Sequence, residues 1–316
     1  MPLMIILILF GLCLWPPVTG TDLAQAPRPA APAPQPAGAF SWPYYPTPAK
    51  LNLCGEAVPL HETMVREDFD REFTIIAWSR AQTTLWIKRA RRYFPLIESE
   101  LHKRGLPQDL KYVVLVESDL LLQARSQAGA QGPWQFMGPT AQRFQLSVGD
   151  AVDERLDFSS ATDAALRYLK QLYQTFGSWS LALAAYNCGE ARVSREMSEQ
   201  GVRDYYHLGL PQETERYVYR ILAAKAVLEN PGAYGYDIPG DQLHLPLNFD
   251  VVHFKVSKDV AVTRLAAACG SFYKVIKRLN PWIKGRALPP GTYNLKVPQG
   301  AAPKFQQAYQ RGEMGS

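Results

Sequence analysis

Apolar residues recur three and four apart from about residue 66 to residue 230, and that spacing commits most of the chain to packed amphipathic helices. Phe69, Phe73, Ile76 and Ala77 form one stripe, and Leu85, Trp86, Ala90 and Tyr93 a second. Pro95 is expected to open a new helix carrying Ile97 and Leu101, which Gly105 stops. Pro107 suits a first helical position, and Leu110, Val113, Val114 and Glu117 share one face beyond it. Ser159 or Ser160 is expected to cap a helix running through Ala164, Tyr168, Leu172 and Phe176 to Gly177. Residues 179–187 are short and apolar and closed by Gly189, and residues 213–229 read as a long helix stopped by Asn230-Pro231.

The flanks differ. Residues 3–15 are apolar and uncharged, followed by Pro16, Pro17 and small residues, which reads as a secretory signal or an N-terminal anchor over 1–20. The run is shorter than the roughly 20 residues of a membrane span. Cys13 follows the bulky Leu12, where a lipoprotein signal carries a small residue. Residues 21–50 are rich in Pro and Ala and read as an extended tether. After a helical domain expected over 51–240, residues 249–256 and 292–297 have strand character. Two short helices, near 258–267 and 271–279, are expected between them. The whole is a small βααβ domain over 245–300, with a tail at 301–316. The fold class expected is therefore mainly α.

A chain of 316 residues, 47% of them hydrophobic, can bury one sizeable core and a small second one. Residues 241–316 hold 11 Lys and Arg against 4 Asp and Glu, while the remainder holds 23 against 25. The basic end favours anionic partners; nucleic acid would fit on charge alone, but export argues against it. Cys13, Cys54, Cys188 and Cys269 form neither a disulfide framework nor a metal-site spacing, though one disulfide remains open. His61, His102, His207, His244 and His253 are scattered, so no metal and no cofactor is expected.

Glu117 is the residue that asks for an explanation. A carboxyl on an otherwise apolar face points toward a core or a cleft wall, where burial penalises the ion and raises its pKa. A carboxylic acid protonated near neutral pH is what cleavage of a glycosidic bond requires. The plainer alternative is a helix-end Glu leaning to solvent or pairing with an Arg. Residues 126–137 are rich in Gly and then in aromatics and amides, with Ser126, Gly129, Gly132, Trp134, Gln135, Phe136 and Met137. Glycines let backbone approach a ligand, aromatic faces suit sugar rings, and Gln offers both a donor and an acceptor. A tight turn under a core Trp fits the same residues. Tyr186 can donate to Glu117 or to substrate, or be a satisfied core group. Asn187 can cap a helix end, and Glu213 stands where a negative charge favours a helix start. Asp119, two residues beyond Glu117, is a poor second carboxylate.

Taken in order, these segments resemble the lytic transglycosylase family with a goose-type lysozyme-like (SLT) fold, and within it the membrane-bound murein transglycosylase D branch. The likeness covers roughly 66–236. It rests on Glu117-Ser118, on Ser126 with Gly129-Ala130, and on Gly132 through Met137. Ala185-Tyr186-Asn187 and Glu213-Thr214 with Tyr217-Val218 complete it, and 152–157 resembles the same branch. The resemblance implies Glu117 as the catalytic acid. It places Ser126, Gln135, Phe136, Met137, Tyr186 and Asn187 at the substrate, and Glu213 as a second, non-catalytic glutamate near the cleft floor. Pro133, the order Gly138-Pro139-Thr140, and Cys188 depart from the family pattern without removing a chemical group. Residues 249–298 resemble a divergent LysM module through Asn280-Pro281 and residues 295–298, which implies either glycan binding or docking on the helical domain.

The implied activity is non-hydrolytic cleavage of the bond between N-acetylmuramic acid and N-acetylglucosamine in peptidoglycan, leaving 1,6-anhydro ends. A muramidase-type hydrolase on the same fold, or an inactive peptidoglycan-binding protein, are the alternatives. The implied location is the periplasm or envelope of a Gram-negative bacterium, with membrane association through the N-terminus as an option.

Overall fold

The computed structural model describes residues 43–313, and no helix among them is long and apolar enough to cross a membrane. The expected signal or anchor at 1–20, with Cys13, and most of the proline-rich tether lie outside the described residues. From Tyr45 onward the described chain forms one compact unit.

A two-residue hairpin, β1 (Asn52–Leu53) with β2 (Glu56–Ala57), precedes the helices α1 (Thr63–Trp78) and α2 (Arg80–Lys103). A 3₁₀ turn at Gln108–Tyr112 leads into α3 (Val113–Ser118). Then come α4 (Gly138–Arg143), α5 (Phe158–Phe176), α6 (Trp179–Cys188), α7 (Glu190–Gln200) and α8 (Gln212–Glu229). Every residue of α6 from Trp179 to Ala185 is buried, which is what a helix apolar on all sides requires. It therefore sits at the centre, against α5, α7 and α8, while α1 lies along α8.

Three helix boundaries in the helical domain differ from those the sequence pattern suggests. Pro95 does not start a helix; α2 runs through it. Pro95 is solvent-exposed, so the Arg91 carbonyl that loses its helical donor can be hydrated. Trp86 and Ala90 before it, and Ile97 and Leu101 after it, are buried in one core and hold both halves in line. The cap of α5 is Asp157, not Ser159 or Ser160: its Oδ1 accepts from the backbone N–H of both serines. A carboxylate also suits the positive end of the helix better than a hydroxyl. Pro107 precedes the 3₁₀ turn rather than opening an α-helix.

The C-terminal region is a small β-containing unit. Strand β3 (Phe249–Val256) pairs antiparallel with β6 (Gly291–Pro298), in a register that sets Phe249 opposite Pro298 and Val256 opposite Gly291. Between them lie β4 (Val260–Ala261), α9 (Val262–Ala268), α10 (Tyr273–Leu279) and β5 (Ala287–Leu288), with β4 paired to β5. Both helices begin later than the sequence spacing suggests. Asn280 is fully buried and donates to Ile276 O and Lys296 O while accepting from Lys296 N–H, so it stitches the end of α10 to β6. Residues 302–310, expected from sequence to be tail, form α11 (Ala302–Gln310), whose Phe305 fills the core of this region. Cys54, Cys188 and Cys269 are all free thiols.

Candidate active site

The short helix α3 is anchored by Leu110, Val113, Val114 and Leu115, all fully buried. That leaves Glu117, one turn further on, to open into a cleft of about 610 Å³. Ser118 locks the end of the helix by donating to Val114 O and Pro133 O. Asp119 and Leu120 then take left-handed backbone conformations and turn the chain away. The Asp119 carboxylate accepts from Trp86 Nε1 and Gln82 Nε2 on α2, so it serves the scaffold and does not line the cleft.

All eight residues singled out from sequence line this one cleft: Glu117, Ser126, Gln135, Phe136, Met137, Tyr186, Asn187 and Glu213. Ser126 N–H donates to Ala130 O across a turn, Ser126 O accepts from Gly129 N–H, and Ser126 Oγ accepts from Ala130 N–H. Its hydroxyl proton remains to be offered. Gln135 adopts a positive φ of 49° and donates from Nε2 to Gly132 O and Ala124 O, so the amide oxygen is what it can present to a ligand. Phe136 is buried in the wall, while Met137 is exposed at the mouth. Gly132 is a glycine of necessity: its φ is 85°, and a Cβ there would collide with Arg155 O.

Tyr186 takes one of the readings left open for it, and Glu213 departs from its expected place. Tyr186 does not donate to Glu117; its hydroxyl donates to Trp134 O at 2.7 Å, which fixes the aromatic wall. Glu213 is not on the cleft floor but at its rim, with a side chain 62% exposed. It forms a two-point ion pair with Arg220 at 2.6 and 3.1 Å. Asn187 accepts from Thr214 Oγ1 at 2.7 Å and ties the end of α6 to α8.

The residue that holds Glu117 is Tyr217, whose hydroxyl donates to Glu117 Oε1. From sequence, Tyr217 belongs to a motif but has no role of its own. Helical spacing contained the signal, because Glu213, Tyr217 and Arg220 fall on one face of α8. Arg220 reaches on to Glu72, a carboxylate 1% exposed that Arg216 also contacts, which fixes α1 against α8 behind the site. Tyr168 is a further cleft residue that the sequence motifs do not mark. Its ring lies 5.3 Å from Tyr186 and 6.5 Å from Phe136, and the three make a continuous aromatic side to the cleft.

The cleft reaches Glu117 from one side, but protein surrounds its carboxyl otherwise. Burial therefore dominates and raises its pKa from 4.5 to about 7. The Tyr217 hydrogen bond opposes that rise, the charge of Glu213 adds to it, and Arg220 opposes it. Burial, then the nearby Glu117 charge, keeps Tyr186 and Tyr217 far above the usual tyrosine range, so both stay neutral donors. The site can thus supply one proton from Glu117 near neutral pH and take it back, beside an aromatic wall and a rim of amides and hydroxyls.

Residues 94–208 match the sequence profile of the transglycosylase SLT domain. The chain is 31% identical over 234 residues to membrane-bound lytic murein transglycosylase D of Escherichia coli strain K12, covering 72% of this chain and 51% of that protein. The protein of the same name from E. coli O6:H1 matches with the same identity and coverage. The chain spans about half the length of these curated relatives. Among solved structures, the 70 kDa soluble lytic transglycosylase of E. coli aligns with a TM-score of 0.41 and 22% identity, over 52% of this chain and 29% of that one. Residues 94–208 therefore carry an SLT transglycosylase domain, related to the murein transglycosylases of the D type.

Proposed function

We propose that this chain is a peptidoglycan lytic transglycosylase that cleaves the β-1,4 bond between N-acetylmuramic acid and N-acetylglucosamine without water, acting in the cell envelope. The observation that carries this reading is the Glu117 carboxyl, enclosed by protein except where it meets the cleft and raised to about 7, at the wall of a cleft large enough for a saccharide. The names of the murein transglycosylases it resembles point to the same substrate class.

In this reading Glu117 in its acid form protonates the bridging oxygen. The muramyl C1–O bond breaks as positive charge spreads onto the ring, and the substrate's N-acetyl carbonyl is placed to share it. The ionised Glu117, steadied by the Tyr217 hydroxyl, then takes the proton from the muramyl C6 hydroxyl, whose oxygen closes on C1. Acid and base are one group used twice, so its pKa has to lie near the working pH. A hydrolase of ordinary kind uses two carboxyls at a set separation. Among the described residues, the one other carboxylate lining the cleft is Glu213, which is exposed and held by Arg220. Ser126, the Gln135 amide oxygen and Asn187 face the sugar's polar rim in this reading, with Phe136, Tyr168 and Tyr186 against its apolar side. The unit 249–298 is read by resemblance as a LysM-like module, with Asn280 as its internal tie.

Purified peptidoglycan incubated with the full chain should release soluble muropeptides, and Glu117→Gln should abolish that release. Equal release by the variant would end the assignment.

A further inference from the structure

Residues 147–157 lie between two cores. Within their short 3₁₀ turn, Glu154–Leu156, adjacent side chains go opposite ways. Leu156 enters the hydrophobic core of the C-terminal region, joined by Val152, which bridges to Ile283. Arg155 enters the helical domain. Its Nε and Nη2 donate to the two oxygens of the fully buried Asp153, at 2.9 and 2.8 Å. Its Nη1 donates to Phe136 O at 3.1 Å and Gly129 O at 3.3 Å. Both carbonyls belong to the strap 124–137, which gives the cleft Ser126, Gln135, Phe136 and Met137. Gly132, in the middle of the strap, rests directly on the Arg155 carbonyl.

The C-terminal region grips the same turn from behind. Asp153 N–H donates to Trp282 O at 2.9 Å, and Ala151 O accepts from Lys284 N–H at 2.9 Å. Lys284 Nζ donates to Gly149 O at 3.0 Å and lies 3.8 Å from Asp153 Oδ2. Lys296 Nζ is 2.6 Å from the Asp157 carboxylate that caps α5.

We propose that the C-terminal region is a clamp on the active-site strap, and that Arg155 is its positioning residue: docking of residues 282–284 sets Asp153, Asp153 orients the Arg155 guanidinium, and Arg155 holds the carbonyls of Gly129 and Phe136. The substrate named in the test rests on the transglycosylase reading, but the coupling from region to strap does not. The physical basis is that a guanidinium held at two points by a buried carboxylate has its remaining N–H directions fixed. Residues from both sides bias one contiguous hydrogen-bonded unit, so loosening either side reaches the strap.

The test uses the full chain with Arg155→Lys, which keeps the charge but loses the planar fork, and Lys284→Ala, a milder change at a partly exposed site on the docking surface. Hydrogen exchange is followed across the molecule, and kcat and KM are measured on purified peptidoglycan over a range of pH. Both variants are expected to speed amide exchange in 124–137, R155K by about tenfold, with β3, β6 and α8 unchanged. KM should rise several-fold while kcat and the pH midpoint set by Glu117 stay put. Unchanged strap exchange in K284A, or exchange in R155K that rises equally throughout, would overturn the clamp. Should the chain prove inactive on peptidoglycan, the exchange data still decide, and only the choice of substrate falls.

Discussion

Replacing Glu117 by Gln isolates what burial does to its carboxyl. In the folded chain that carboxyl holds its proton up to about pH 7, against 4.5 for an ordinary glutamate. A carboxyl bound to its proton more tightly when folded than when unfolded favours the fold fully below pH 4.5. That contribution is lost as pH rises through about 7. The rise from 4.5 to about 7 corresponds to about 3 kcal/mol, at about 1.36 kcal/mol per pKa unit, set against the ionised native state above pH 8. Gln has the same shape, carries no charge, and keeps an amide oxygen for the Tyr217 hydroxyl. E117Q is therefore expected to match the wild type at pH 4 and to exceed it by about 2–3 kcal/mol at pH 8. In melting temperature that gain is about 5–10 °C for a unit of this size. Thermal or urea unfolding at pH 4, 6 and 8 measures it. Activity should fall at least about 10²–10⁴-fold in the same variant, the share of a lost general acid. A stability difference that stays constant from pH 4 to pH 8 would refute the reasoning, because it would mean that burial does not act on the ionised form.

Tyr217→Phe removes the donor that favours ionised Glu117, so the alkaline limb of kcat/KM should move to higher pH while kcat falls. A pH–rate profile with an unmoved limb would detach Tyr217 from the acid. Glu213→Gln removes a negative charge that holds the Glu117 proton on, and leaves Arg220 to act alone, so the same limb should move to lower pH. Tyr186→Phe leaves the Trp134 carbonyl without its donor, which should cost about 1–3 kcal/mol by urea unfolding and slow turnover as the aromatic wall loosens. Gly132→Ala forces a Cβ onto Arg155 O at a positive φ and should destabilise by more than about 1 kcal/mol, with the loss of cleft shape read as a raised KM.

How far the fold can be read from sequence depends on the range of the forces involved. Helices α5 and α8 were legible because a stripe of apolar residues and a glycine or proline stop are local facts, α6 through its apolar run and Gly189, and α1 through its stripe alone. Strands β3 and β6 were legible for the same reason, through β-branched and aromatic runs. Pro95 misled because the rule against proline inside helices is local, while its tolerance depends on solvent at Arg91 and a core on either side. Asp157 was hidden as a cap behind the two serines whose N–H groups it satisfies. In the site, chemistry-bearing types at suggestive spacing pointed to Glu117, Ser126, Gln135 and Tyr186, and the fold brings all of them to one cleft. Which hydroxyl meets which carboxyl was not legible. Tyr217 lies 100 residues from Glu117 in sequence, and Tyr186 turns instead to a backbone carbonyl that no side-chain pattern reveals. The grip of Arg155 on Gly129 and Phe136 is hidden likewise, since both partners are main-chain atoms.

Whether the muramyl sugar or water completes the reaction is written in the ends of the products. Purified sacculi digested by the full chain in isotope-labelled water should yield muropeptides ending in anhydro-muramyl groups, lighter by one water and free of label by mass spectrometry. Reducing muramyl ends that carry the label would contradict an acid that returns its proton traffic to the sugar itself.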